Sequence, residues 1–187
     1  VIRLHDHQVV VQIQIAPLLK NLFTHLLRNA MDHGLEPAAE RLAAGKPAAG
    51  RIDIEVKLDV GGLRIRLHDD GRGLALARIR ARALEQALLT EEEARSDEAV
   101  AQTIFLSGFS TAEQVTEVSG RGVGMDAVRG FLQREGGDVH IHFLDTNVGA
   151  DFRAFDLVVS LPARFGTQLD LPSETAAPDA RLAPLAV

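Results

Sequence analysis

Apolar residues recur along the chain with two periods, which divide it into predicted helices and strands. Over residues 16–33 they recur every three or four positions, which predicts an amphipathic helix that ends near Gly34. Residues 51–58 and 63–68 alternate strictly between apolar and polar side chains, with two glycines between the segments. This pattern predicts a β-hairpin with one buried face.

Both patterns return in the second half of the chain. The segments with helical spacing are 76–88, 91–106 and 123–134, and the alternating segments are 139–144 and 156–161. Antiparallel strands with one apolar face, together with amphipathic helices, predict a two-layer α/β sandwich with the helices on one face of the sheet. We therefore expect one domain over residues 1–165, followed by a flexible Pro/Ala-rich tail over residues 166–187.

Composition narrows the functional classes. The 187 residues suffice for one core, and 46% hydrophobic with 25% charged residues is a globular composition. Because no apolar run reaches the ~20 residues of a membrane span, we expect no membrane contact from this segment and a cytoplasmic location, even if the parent protein is a membrane-bound sensor. The formal charge of −6 argues against nucleic-acid binding. A chain that begins at Val1 is expected to be a fragment of a longer protein.

A first candidate site lies on the predicted helix over residues 16–33. His25, Asn29 and Asp32 fall within one narrow arc of this helix, away from its leucine stripe, and Arg28 flanks the arc. The arc is either an ordinary solvated helix face or a set of ligands for a magnesium ion that keeps most of its waters.

Two glycine-rich segments supply the other candidates. DDGRG, residues 69–73, follows a predicted strand and is either a simple turn or a carboxylate fixed at a strand end beside a flat ligand ring. GRGVG, residues 120–124, runs into a predicted helix and is either a flexible loop or a phosphate-binding turn.

Taken in order, these segments resemble a known family. HLLRNAMDHGLE (25–36), DDGRGL (69–74) and GFSTAEQVTEVSGRGVGMDAV (108–128) are similar to the N box, the first glycine box, and the F box with second glycine box of chemotaxis-type (CheA-like) histidine kinases, in the GHKL ATPase superfamily. The resemblance implies the Bergerat fold, a two-layer α/β sandwich whose mixed sheet is mostly antiparallel. It also implies binding of ATP with Mg²⁺.

The resemblance further implies a role for each matching residue. Asn29 would hold the Mg²⁺ that bridges the phosphates, and His25 would occupy the position where other branches of the superfamily carry a catalytic glutamate. Asp69 would accept a hydrogen bond from the adenine amino group. The other pocket residues would be Arg28, Asp32 and His33 on the phosphate side, Gly71 and Gly73 at the adenine wall, and Gly120, Gly122 and Gly124 around the phosphates, with Arg121 and Met125 as further nucleotide-binding residues. The segment over residues 76–119, including Phe109, Ser110 and Thr111, would be a mobile lid.

The implied function is that of the ATP-binding catalytic domain of a two-component sensor histidine kinase. It would transfer the γ-phosphoryl group to a histidine on another domain or protein, with a downstream response regulator as a further partner and dimerisation only through regions outside this segment. One departure leaves an alternative open. Asp151, Phe152 and Arg153 replace small residues of the family's third glycine box, and the threonine of that box is absent. A degenerate domain that binds nucleotide or a partner without kinase activity is the alternative.

Overall fold

A sheet with helices on one of its faces makes up the fold. The computed structural model describes residues 1–109 and 125–169. The strands are β1 (Ile2–Asp6), β2 (Val9–Val11), β3 (Ile52–Asp59), β4 (Gly62–Asp69), β5 (Asp138–Phe143), β6 (Phe155–Leu161) and β7 (Gly166–Gln168). The α-helices are α1 (Ala16–Asn29), α2 (Ala38–Ala43), α3 (Leu76–Glu85), α4 (Asp97–Gln102) and α5 (Met125–Arg134). Among the described residues, no helix combines the length and the apolar character that crossing a membrane requires.

The main sheet has five strands in the order β1-β3-β4-β6-β5. β1 runs parallel to β3, and the other three neighbouring pairs are antiparallel. The predicted mixed, mostly antiparallel sheet is thus confirmed, and so is the hairpin of β3 and β4. The apolar pattern does not predict β1, because all five of its residues are exposed and its partner strand lies far along the sequence.

A second, two-stranded sheet joins two distant parts of the chain. β2 pairs antiparallel with β7, with Val9 opposite Gln168 and Val11 opposite Gly166. The first three residues of the predicted tail are therefore a strand, and the folded part extends beyond residue 165. These three residues are ordered because their backbone groups form hydrogen bonds with β2. The composition of the segment does not show this pairing, since the partner strand lies near the start of the chain. Residues 170–187 lie outside the described part of the chain.

One hydrophobic core fills the space between the sheet and the helices. Buried side chains that meet there include Leu22 and Leu26 of α1, Val128 and Leu132 of α5, and Leu63, Ile65 and Leu67 of β4. The intervening residues of β4, Arg64 and Arg66, are exposed on the opposite face of the sheet. The helices therefore cover one face of the sheet, as the alternation predicts.

A smaller apolar cluster forms between α3 and α4, and it includes Leu76, Ile79 and Val100. The predicted single helix over residues 91–106 is here divided into a 3₁₀ turn, α4 and a second 3₁₀ turn. The break comes at Ser96, whose hydroxyl accepts the Ala99 N–H at 3.2 Å and caps α4.

A buried ion-pair network ties α3 and α4 to the segment that precedes β6. The carboxylate of Asp97, which is 0% exposed, accepts Arg153 Nη1 at 2.9 Å and Arg80 Nη2 at 2.7 Å. It also accepts the Gly149 N–H at 2.8 Å, and Arg153 Nε donates to Asp145 Oδ1 at 3.0 Å. Because a buried guanidinium is stable only when its donors are paired, the network holds these segments in one arrangement.

We expect Asp97→Ala to lower the free energy of unfolding by about 3–5 kcal/mol, because it leaves the buried Arg153 guanidinium without one of its two carboxylate partners. Urea denaturation followed by far-UV circular dichroism measures this, since the chain has no Trp or Tyr. The control is Glu85→Ala, which removes an exposed partner of Arg82 and should change the value by less than about 0.5 kcal/mol. If Asp97→Ala lowers the free energy of unfolding as little as the control does, the network does not stabilise this arrangement.

Candidate functional site

The first candidate group lies at the C-terminal end of α1. Arg28 and Asp32 are exposed, and Asn29 is half-buried. After Asn29 the helix widens into a π turn, Ala30–Gly34, which is closed by a 2.8 Å hydrogen bond from the Leu35 N–H to the Ala30 carbonyl. Such turns carry one extra residue and are frequent at functional sites. The sequence pattern predicts the helix and its end at Gly34 but not the widened turn.

The DDGRG segment forms a turn at the end of β4, directly against the end of α1. The Arg72 N–H donates to the Gly34 carbonyl at 3.0 Å. A Cβ atom on Gly71 would lie 2.2 Å from that carbonyl oxygen, so no side chain fits at Gly71 without displacing backbone. The structure thus brings together two of the three segments that the sequence singles out.

Gly73 makes a second close approach, to the segment that precedes β6. Its φ is +88°, and a Cβ atom there would lie 2.4 Å from the Arg153 carbonyl oxygen. Leu74 and Arg153 exchange both of their backbone hydrogen bonds, at 2.8 and 3.2 Å. Gly71 and Gly73 therefore let the turn pack between α1 and this segment, and their contact with a ligand ring stays a prediction.

Asp69 is the carboxylate at the centre of this turn. It ends β4 two residues after the buried Leu67, and its Oδ1 accepts the Gly71 N–H at 3.0 Å. Burial raises the pKa of Asp69 above its ordinary value, although the bond from Gly71 acts in the opposite direction. Asp69 is thus a hydrogen-bond acceptor whose orientation is fixed by the backbone beside it.

Gly34 leaves this carboxylate open on the side of α1. A Cβ atom at Gly34 would lie 3.2 Å from Asp69 Oδ1 and 3.3 Å from Asp69 Oδ2. Any side chain at this position would therefore begin against both carboxylate oxygens. The apolar pattern predicts Gly34 only as a helix stop, although Gly34 also lies inside the HLLRNAMDHGLE motif.

Two basic residues outside the sequence motifs, Arg41 and Lys46, hold the other side of the same turn. The Arg41 guanidinium, which is 1% exposed, donates to Asp70 Oδ2 at 2.9 Å. Lys46 Nζ donates to the Gly71 carbonyl at 2.9 Å and to Glu36 Oε1 at 2.7 Å. The sequence does contain a hint of these two partners. Glu36 and Asp70 are acidic residues inside the quoted motifs, and an acidic side chain that is removed from water needs a basic or hydrogen-bonding partner.

The three residues that depart from the third glycine box have different environments in the structure. Asp151 and Phe152 are exposed, whereas Arg153 is buried. The Arg153 carbonyl faces the turn at Gly73, but its guanidinium joins the network around Asp97. The large side chain at position 153 is therefore held by carboxylates of the fold.

The remaining predicted site residues fall into two groups. Phe109 is half-buried and packs against the smaller apolar cluster, and Met125 is buried in the main core at the start of α5. The residues outside the described part of the chain are Ser110, Thr111, Gly120, Arg121, Gly122 and Gly124, and the side chains of His25 and His33 are likewise outside it.

Within residues 1–109 and 125–169, leaving aside the side chains of His25 and His33, no group of three or more His, Asp or Glu side chains is arranged to hold a metal ion. The assignment of Asn29 as a ligand of Mg²⁺ stays a prediction.

Comparison with known sequences identifies the family. The profile described as "Histidine kinase-, DNA gyrase B-, and HSP90-like ATPase" matches residues 14–163. A chemotaxis protein CheA from Klebsiella aerogenes is 50% identical over 119 residues, which cover 64% of this chain and 18% of that protein. A gliding motility regulatory protein from Myxococcus xanthus is 42% identical over 125 residues, which cover 66% of this chain and 16% of that protein. The chain thus spans about a fifth of the length of these relatives.

A solved structure shares this fold. The Mycobacterial sensor histidine kinase MprB superposes with a TM-score of 0.52 at 16% identity, covering 90% of this chain and 84% of that chain. The two-layer α/β sandwich predicted from the sequence is thereby confirmed.

We expect Asp69→Asn to raise the free energy of unfolding at pH 7, because burial opposes the charged carboxylate and the amide oxygen can still accept the Gly71 N–H. A carboxyl group whose folded pKa exceeds its unfolded pKa stabilises most below the unfolded value, and this contribution is lost as pH rises through the folded value. The advantage of Asn over Asp should therefore shrink as pH falls toward about 4.

Urea denaturation at both pH values measures this difference. The matched control is Asp59→Asn, since the exposed Asp59 Oδ1 accepts the Gly61 N–H at 2.8 Å in the same local arrangement. A destabilised Asp69→Asn protein at pH 7 would show that the charge of Asp69 is favourable in the fold.

Proposed function

Because this chain belongs to the family of histidine kinase-, DNA gyrase B- and HSP90-like ATPases, we propose that it is the ATP-binding catalytic domain of a histidine kinase. The observation that supports this most directly is the contact between the end of α1 and the turn after β4. It places the half-buried amide of Asn29 and the oriented carboxylate of Asp69 on segments joined by the bond from Arg72 to Gly34. An ATP site needs both a polar group for the base and a place for the phosphates.

Asp69 would recognise the base. Its carboxylate is partly buried, is oriented by Gly71 and has no side chain at Gly34 to cover it. Such an acceptor suits the exocyclic amino group of adenine, which donates two hydrogen bonds. The backbone of Gly71 and Gly73 would then form the wall beside the ring.

The end of α1 would bind the phosphate side. Asn29 would be the protein ligand of Mg²⁺, which would supply positive charge to the phosphates. The exposed Arg28 would add positive charge, with Asp32 and His33 beside it. His25 precedes Asn29 by four residues, hence one helical turn, and would act on the transferring group from the same side.

Residues 109–125, of which 110–124 lie outside the described part of the chain, would supply the remaining nucleotide contacts. Gly120, Gly122 and Gly124 would surround the phosphates with backbone N–H groups, with Arg121 and the neighbouring Met125 beside them. Phe109, Ser110 and Thr111 would belong to a lid that closes over bound nucleotide.

The acceptor of the phosphoryl group would be a histidine on another domain or protein, and a response regulator would receive it in turn. The description of the matching family, which includes histidine kinases, supports the histidine acceptor. Dimerisation would use regions outside this segment. We place the domain in the cytoplasm.

The alternative is a related domain that binds nucleotide or a partner without phosphoryl transfer. The residues that favour it are Asp151, Phe152 and Arg153, which stand in place of the third glycine box. The burial of Arg153 in its own ion-pair network weakens this alternative, because its charge is satisfied within the fold.

We expect calorimetric titration of a non-hydrolysable ATP analogue with Mg²⁺ to show saturable binding. Asp69→Asn should weaken binding by roughly 10- to 100-fold, because an amide can present a donor where the base needs an acceptor. Asn29→Ala should bind with an affinity that no longer responds to Mg²⁺. Asp59→Asn is the control and should bind like the wild type. No binding by folded wild-type chain at millimolar nucleotide would contradict the proposal.

Phosphoryl transfer is the second expectation. With γ-labelled ATP and a histidine-bearing acceptor domain, the wild-type chain should yield an acid-labile, base-stable phosphate on the acceptor, since phosphohistidine has this stability. Asn29→Ala should lower the rate by at least ~100-fold, because positioning and charge neutralisation supply most of the catalysis. Nucleotide binding without transfer to any supplied acceptor would favour the alternative.

A further inference from the structure

The turn over residues 69–73 is held by two basic side chains from the segment that follows α1. Arg41 lies on α2, and Lys46 lies between α2 and β3. Arg41 is 1% exposed, whereas the side chain of Lys46 is 34% exposed. Neither residue belongs to the three segments to which the proposed function assigns nucleotide contacts.

Arg41 fixes the start of the turn through Asp70. Its Nη2 donates to Asp70 Oδ2 at 2.9 Å, its Nη1 to Glu36 Oε2 at 3.1 Å and its Nε to the Pro47 carbonyl at 2.8 Å. Burial pushes the pKa of Asp70 upward, but the hydrogen bonds from the Arg51 N–H and Arg41 outweigh it and hold that pKa below its ordinary value. Asp70 is therefore a charged anchor at neutral pH.

Lys46 holds the backbone of the turn itself. Its Nζ donates to the Asp70 carbonyl at 3.1 Å, to the Gly71 carbonyl at 2.9 Å and to Glu36 Oε1 at 2.7 Å. All three donors of the ammonium group are thereby used. Arg41 Nη1 reaches the same Asp70 carbonyl at 3.2 Å. Two cations thus meet at one carbonyl oxygen.

The carbonyl of Asp70 and the N–H of Gly71 belong to one peptide group. The oxygen of this group accepts from Arg41 and Lys46, and its N–H donates to Asp69 Oδ1 at 3.0 Å. Because a peptide group is planar, it cannot rotate away from the cations without also turning its N–H away from Asp69. Cations at the oxygen also polarise the group and strengthen the donated hydrogen bond.

We propose that Lys46, with Arg41, determines the base specificity of the site by holding the Asp70–Gly71 peptide group in the orientation that presents Asp69 to the adenine amino group. This inference rests on the proposed function, because it assigns the recognition of the base to Asp69. Lys46 is a positioning residue that acts through the peptide group and Asp69. Its variants should therefore change discrimination between bases more than the affinity for the rest of the nucleotide.

The test compares ADP with purine riboside 5′-diphosphate, which lacks the exocyclic amino group, by calorimetric titration into the chain. The wild type should bind ADP at least ~10-fold more tightly, because only ADP satisfies Asp69. Lys46→Met should weaken ADP binding by roughly 10-fold and change purine riboside diphosphate binding by less than about twofold, so that the preference is largely lost. Lys46→Gln can restore one donor and should give an intermediate preference.

The matched control is Lys57→Met, since Lys57 is a half-exposed lysine paired with Glu55 on β3, away from the turn. It should keep the wild-type preference.

Far-UV circular dichroism melting shows whether each variant folds. If Lys46→Met does not fold, the Lys46→Gln variant decides the outcome. If the Lys46 variants keep the wild-type preference for ADP, this inference is overturned, and the proposed function stands. The same holds if the affinities for ADP and for purine riboside diphosphate fall by the same factor. A wild type that binds neither nucleotide would overturn the proposed function and this inference with it.

Discussion

The contact of two backbone segments at Gly34 and Gly71 is the constraint on which the candidate site depends. No side chain fits at Gly71, since a Cβ atom there would lie 2.2 Å from the Gly34 carbonyl oxygen. α1 is anchored by Leu22 and Leu26 in the core, and the turn is anchored by β4. The separation of Asn29 and Asp69 is therefore set by core packing and backbone contact rather than by mobile side chains. Pre-organisation of this kind lowers the entropic cost of binding a ligand that spans both groups.

Elements that bury one face and expose the other could be predicted from the sequence, because their apolar residues recur with the period of a helix or a strand. α1 and the β3–β4 hairpin are such elements. β1 could not be predicted in this way, since all of its residues are exposed and its partner strand is distant in sequence. β7 is likewise defined by its partner β2 rather than by its own three residues.

The residues of the candidate site likewise fall into those that the sequence predicts and those that it does not. Residues inside the quoted motifs, such as Asn29 and Asp69, could be proposed from the sequence alone. Arg41 could not, because a local pattern does not show that an arginine will be buried against a carboxylate 29 residues away. The position of the Arg153 guanidinium likewise depends on Asp97, which lies 56 residues earlier. Long-range pairing of charges thus decides how a departure from a family motif is accommodated.

The pairing of β2 with β7 has a consequence for how the described chain opens. Val9 lies directly opposite Gln168, so a segment that precedes α1 is hydrogen-bonded to a segment that follows β6. Fraying of either strand therefore costs hydrogen bonds in both, and neither segment can open alone. α1 and the turn after β4 both lie between these two strands in sequence, within a loop of chain that the pair closes.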